Sequence, residues 1–165
     1  MQVTDLIRYN HFVRDLYFDA ISKLPWAQVV EARGLSFGSM RNVFSHLTRV
    51  EDRVVNYVIP ERDKDWVGVD FDAFKNMDSL KDYMLHVKEN TENYLADLSA
   101  EELNRQIIIP WEATSETKIS VETVLNHIVL EDMIHYGELS AVFWQMGLQA
   151  PYIALWQNKL QHTLG

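Results

Sequence analysis

VETVLNHIVLEDMIHYGELSAVFWQMG, residues 121–147, is the stretch whose reading decides the fold. Its apolar residues recur at intervals of three and four, the period of one long amphipathic helix. Val124, Ile128, Glu131, His135 and Val142 fall close together on one face. That face is apolar at both ends, yet a carboxylate and an imidazole stand four residues apart in its middle. Burying a charge is costly unless it is paired or bound to a metal. Adjacent turns bring the Glu131 oxygen and the His135 nitrogen toward a common point, as the HExxH arrangement does with two imidazoles. An ordinary exposed ion pair at i, i+4 fits the same spacing. Gly137 weighs against that plain reading, since glycine inside a helix costs about 1 kcal/mol relative to alanine. The expectation is that a neighbouring helix or a ligand approaches closely there.

His127 lies on the same stripe, four residues before Glu131. The ends of the row His127, Glu131, His135 are about 12 Å apart along a helix axis, so one of the two imidazoles must stand outside the shell of a shared ion. His127 reads as a supporting partner or an interhelical hydrogen-bonding residue. His11, His86 and His162 have no partner at a ligand spacing and read as surface or packing residues.

Working outward, Ser120 is placed to cap this helix and Gly147 to end it. Before it, Ile107-Ile108-Ile109 ends at Pro110, and Lys118-Ile119-Ser120 follows a polar segment. The two runs suggest a small hairpin, with proline confining it to an edge role. Three further helices are expected. The first runs from about Val3 to Leu24, capped by Thr4 or a neighbour and stopped by Pro25. The second runs from Ser39 as cap to about Ile59, stopped by Pro60. The third runs from Asp78 or Ser79 to about Leu98. Residues 26–38 read as a connection with one short turn, and residues 61–77 as a loop anchored through Trp66, Phe71 and Phe74. Pro151 suits the first turn of a short final helix to about Gln161. Together these elements predict an all-α antiparallel four-helix bundle, forming one domain over residues 1–165, with a short fifth helix and a hairpin before the fourth long one.

The chain's 165 residues can bury a sizeable core. There are no cysteines, which excludes disulfides, thiolate metal sites and thiol nucleophiles; a transition metal would rest on His, Asp and Glu. A net charge of −9 repels phosphate backbones, and no basic stripe overrides it, so nucleic-acid binding is not expected. MQVTDLIRYN lacks the charged region and continuous apolar core of a signal peptide. No apolar run approaches the roughly 20 residues that span a bilayer. A cytoplasmic protein without membrane contact is expected.

The segment His127-Ile-Val-Leu-Glu131-Asp-Met-Ile-His135-Tyr-Gly137-Glu138 resembles the fourth-helix motif of the DinB superfamily, approximately HxxNHxxxHRGQ, whose last two histidines bind metal. This superfamily of small four-helix-bundle proteins includes the YfiT-like metal-dependent hydrolases. His135 and Gly137 match the motif. Glu131 stands where the middle histidine usually stands, and Tyr136 and Glu138 replace the common Arg and Gln. A related branch, the mycothiol-dependent maleylpyruvate isomerases, uses a His, Glu, His triad of this kind. The superfamily's first ligand, in a phrase like fxHLxxxE, is matched by Phe44-Ser-His46-Leu47-Thr-Arg-Val-Glu51. Leu6-Ile7-Arg8-Tyr9-Asn10 is similar to its opening helix. The resemblance covers nearly the whole chain in order of elements, through short motifs.

What the resemblance implies is a metal site of His46, Glu131 and His135. Such a set suits Zn²⁺ first, with Ni²⁺ or Mn²⁺ as alternatives. The implied activity is hydrolysis of a small molecule, or S-transfer using a low-molecular-weight thiol such as mycothiol or bacillithiol. Glu138 is a candidate general acid/base or an orienting partner for His135; a solvated helix residue is its plain alternative. Arg49 and Arg53 follow His46 by three and seven residues and are candidates to hold a substrate carboxylate or cofactor, with surface ion pairing as the alternative. Asn10 and Trp26 are candidates for the mouth. A second class of reading is a non-catalytic metal-binding or stress-associated protein, dimeric through aromatic-rich faces. A third has no metal, with Glu131 paired to His46, His127 or His135.

Overall fold

The structure, a computed structural model, describes residues 2–111 and 117–156. Four long helices carry it: α1 (Val3–Ser22), α3 (Met40–Arg53), α4 (Met77–Ala96) and α6 (Val121–Gln145). Short helices α2 (Trp26–Val30) and α5 (Ala100–Asn104) sit between them, and strands β1 (Gln106–Ile108) and β2 (Lys118–Ser120) pair antiparallel ahead of α6. The fold is mostly helical with one two-stranded sheet. No helix among the described residues is long and apolar enough to cross a membrane.

Side-chain caps set the helix starts. Ser39 Oγ accepts from the Asn42 N–H at 3.2 Å, and Ser120 Oγ from the Thr123 N–H at 3.2 Å, satisfying donors that a helix start leaves unpaired. Two starts differ from expectation. In α1 the cap is Gln2, whose backbone N–H donates to Asp5, in place of Thr4. In α4 it is Asn76, whose Oδ1 accepts from the Ser79 N–H at 2.9 Å while Ser79 Oγ reaches back. Ser79 is the inner member of that reciprocal pair, which spacing alone did not separate from the cap itself. Gly147, at φ +70°, closes α6 as expected: its N–H donates to the Trp144 carbonyl, and the Leu148 N–H to that of Phe143. The helical run expected to reach Ile59 does so, but its last turn, Val54–Val58, widens into a π-helix, the Ile59 N–H donating to the Val54 carbonyl. Helix α5, capped by Ser99, was not anticipated. The final helix expected to start at Pro151 does not: residues 151–154 are not helical, helical backbone begins at Leu155 and Trp156, and the expected course from residue 157 lies outside the described residues.

Each long helix packs against two others: α1 on α6 and α4, and α3 on α4 and α6. One apolar cluster joins Tyr17, Phe18, Phe44, Leu80 and Phe143; a second joins Ile7, Val58, Leu95, Ile107 and Leu125. The residue numbers give the helix directions. Helices α1 and α6 run from the second cluster to the first, while α3 and α4 run from the first to the second. The pairs α1/α4 and α3/α6 are therefore antiparallel, and α1/α6 and α3/α4 parallel. Parallel α3 and α4 need a long return. Residues 59–76 supply it, running back along α3 through Asp63 on Arg53, Trp66 against Arg53 and Arg49, Phe71 against Arg49, and Asp72 on Arg41. Phe74 then inserts into the first cluster.

Candidate metal centre

His46 on α3 faces Glu131 and His135, which stand on successive turns of α6. His46 Nε2 lies 3.0 Å from Glu131 Oε1, and the two imidazole rings meet edge-on with centroids 5.0 Å apart. One donor atom from each of the three residues lies within 4.8 Å of the others. Bonds of about 2.0–2.2 Å let an ion span donors up to roughly 4.4 Å apart, so small side-chain rotations close this set on one. Two imidazoles and a carboxylate are also the donor chemistry of a zinc-type ion. The residues fit a divalent metal.

Their surroundings orient them. Glu138 Oε2 lies 2.8 Å from His135 Nδ1 and accepts from Ser36 Oγ at 2.8 Å, while the Ser36 N–H reaches Oε1. A carboxylate can only accept, so Nδ1 carries the proton and Nε2 is left as the donor for an ion. Burial pushes the Glu138 carboxyl up, but hydrogen bonds from His135 and Ser36 outweigh it and leave the group below its ordinary range. Glu131 is also lowered, chiefly by the hydrogen bond from His46, with His127 and His135 adding to it against burial. His127 is 64% exposed and stands 3.3 Å from the second oxygen of Glu131 on the same helix, so it pairs within α6 and not between helices. Phe37 stacks on His46 with centroids 3.9 Å apart and lies 5.5 Å from His135. The segment before α3 thus covers the site with Phe37 and braces it with Ser36. Sequence spacing gave no signal for either.

The helix row next to Glu131 and His135 points inward. Asp132 and Tyr136 are fully buried, and so, at the interface of α1, α3 and α4, are Asn10, Arg14, Glu51 and Thr91. The Arg14 guanidinium lies 2.7 Å from Glu51 Oε2 and donates to Asp132 Oδ2 at 2.7 Å. Asn10 donates to the same Asp132 oxygen, and Thr91 to Glu51 Oε1. Burial pushes Glu51 up, but Arg14 and then His11 overcome it and hold the carboxyl far below its usual range. Burial wins at Asp132, whose pKa is raised despite Arg14 and Asn10. His11 bridges Glu51 and Glu92 and is 2% exposed, so it belongs to this layer. This layer was missed because its charges look like solvated helix positions until distant partners are brought together.

Asn10, bonded to Asp132, lies in this layer and not at the mouth; Trp26 packs against the first apolar cluster. Arg53 is held by Asp63 through two hydrogen bonds of 2.7 and 2.9 Å. Arg49 lies against Trp66 and Phe71. At Gly137, nothing among the described residues lies within 4 Å of where a Cβ would stand, so no described residue makes the close approach expected there.

A cavity of about 440 Å³ opens beside His46 and Glu131. Val50, Val54, Ile109, Trp111, Ile119 and Val124 line it together with Arg53, Thr123 and His127. Three donors from two facing helices, one imidazole fixed by a carboxylate, and an adjoining cavity make a site able to hold an ion and present it to a small molecule.

No curated protein matches the chain. A family model described as the DinB superfamily matches residues 10–139, a span containing all three donors, Glu138 and the buried layer around Arg14, and the chain belongs to that superfamily.

Proposed function

We propose that this protein is a metal-dependent enzyme acting on a small molecule, with His46, Glu131 and His135 as the ligands, in the core of a four-helix bundle made by α1, α3, α4 and α6. The observation that carries this reading is the convergence of the three donor atoms within 4.8 Å beside an open cavity. Three protein ligands leave room for a further one, which separates catalytic from structural sites. Zn²⁺ is the first choice, with Ni²⁺ and Mn²⁺ as alternatives, and the ion would supply Lewis acidity toward a water, a thiol or a substrate oxygen. The chain's own residues do the rest. Glu138 fixes the tautomer and angle of His135, Phe37 shields the outer face of His46, and His127 stands beside the second Glu131 oxygen, where it can exchange a proton with a molecule in the cavity. Hydrolysis and low-molecular-weight-thiol transfer are the two chemistries this arrangement accommodates.

A second reading is favoured by one observation: Glu131 is already paired to His46 and His127. That arrangement also suits a protein whose cluster is an ion-pair network without turnover. Elemental analysis of protein purified without an affinity tag or chelator separates the two. The enzymatic reading expects close to one ion per chain, lost in His46→Ala, Glu131→Ala and His135→Ala. Metal content that is absent, or unchanged in all three ligand variants, overturns it.

A further inference from the structure

The cavity beside the donors has an unusual wall. The Arg53 guanidinium lies over Trp66 at 4.5 Å and over Trp111 at 4.7 Å, and Asp63 binds it through two hydrogen bonds. The only cation on the cavity lining among the described residues is thereby neutralised by a carboxylate and faced by two indoles. A guanidinium so engaged contributes a flat, weakly hydrated surface and little free charge to a ligand. Apart from Thr123 the remaining lining is aliphatic or aromatic, with the other ionisable groups being His46, Glu131 and, beside Glu131, His127.

Resting on the metal-site reading above, we infer that this cavity selects an uncharged, ring-bearing substrate whose single polar donor group points to His46 and Glu131, and that it disfavours a second, anionic group on the ring. Size agrees: about 440 Å³ falls within the range of small-molecule sites. Energetics agree as well, because apolar burial supplies the affinity and the donor end supplies the orientation. A carboxylate placed against Val50, Val54, Ile119 and Val124 would lose its hydration without gaining a free cation. Trp111, three residues after β1, lines the cavity and gives the ring an aromatic neighbour beside Arg53.

Two titrations test this. In the first, Co²⁺-loaded protein is followed by visible absorption with benzohydroxamate, acetohydroxamate and 4-carboxybenzohydroxamate. The phenyl compound should bind about tenfold or more tightly than the methyl compound, and the added carboxylate should remove most of that gain. Equal binding of phenyl and methyl compounds, or tighter binding of the carboxylated one, overturns the inference while leaving the metal site standing. The second uses metal-free protein, with benzyl alcohol and benzoate titrated against the indole N–H resonances, Trp111 being assigned with Trp111→Phe. Benzyl alcohol should shift the Trp111 signal at concentrations where benzoate does not, and Thr123→Trp, which adds a ring to the cavity lining, should weaken the response. Preference for benzoate, or no shift with either compound, overturns the cavity's selectivity. Failure to take up Co²⁺ counts against the metal site alone, and the second titration then decides the cavity.

Discussion

Glu138 illustrates how much depends on one carboxylate outside the donor set. It holds the Nδ1 side of His135 at 2.8 Å and is itself held by Ser36. Glu138→Gln should lower metal affinity by about 10- to 100-fold, read by competition with a chromophoric chelator, with His46 and Glu131 untouched. Glu51 makes a different point, about pH. Its carboxyl is depressed in the folded protein, so its contribution to stability is present above the unfolded-state value of about 4.3 and is lost as pH falls through the lower folded value. Glu51→Gln should cost about 3–5 kcal/mol at neutral pH, because it breaks a buried pair. Denaturant titrations from pH 7 to pH 3 should also show a shallower loss of stability than in the parent protein. The residue scale is also where the sequence was most uneven. Glu131 and His135 stood out because they interrupt an apolar stripe of known period. His46 had no such contrast and came only through resemblance. Arg14 and Asp132 stayed hidden, since 118 positions separate two charges that look solvated when read locally.

At the level of elements, glycines in and after α6 make opposite predictions. Gly147 sits at φ +70°, where a side chain strains the backbone, so Gly147→Ala should destabilise the protein by about 1 kcal/mol. Gly137 has helical neighbours and open space where a Cβ would go, so Gly137→Ala should stabilise by up to about 1 kcal/mol. Thermal melting of the two variants side by side checks both signs. The long helices, the hairpin and the Ser39 and Ser120 caps were legible because period, breakers and capping residues are local signals. The direction of α4 was less so. It depends on residues 59–76 returning along α3; Trp66 and Phe71 read as anchors of that loop, but no local rule anticipates their meeting with Arg49 and Arg53, or that of Asp72 and Asp63 with Arg41 and Arg53.

For the whole molecule, an ion held between α3 and α6 ties two helices that come from opposite halves of the chain. Any ligand that binds only the folded state stabilises it, by about 2.7 kcal/mol at a hundred times its dissociation constant. For a chain of this size that corresponds to a rise in melting temperature of roughly 5–10 °C. Zn²⁺ should produce such a rise in the parent protein and none in His46→Ala, and EDTA should reverse it.

The buried Arg14–Asp132 contact carries one more consequence. Asp132 and Glu131 are consecutive, so they leave α6 about 100° apart, one locked into the interior and the other turned toward His46. The salt link therefore sets the rotational phase of α6 about its own axis. Replacing Arg14, Glu51 and Asp132 together by apolar residues of similar volume could leave the fold as stable or more so, yet it would free that angle and let Glu131 and His135 swing away from His46. Thermostability and metal geometry would then part company, and a variant chosen for the first alone would have lost the indexing on which the second depends.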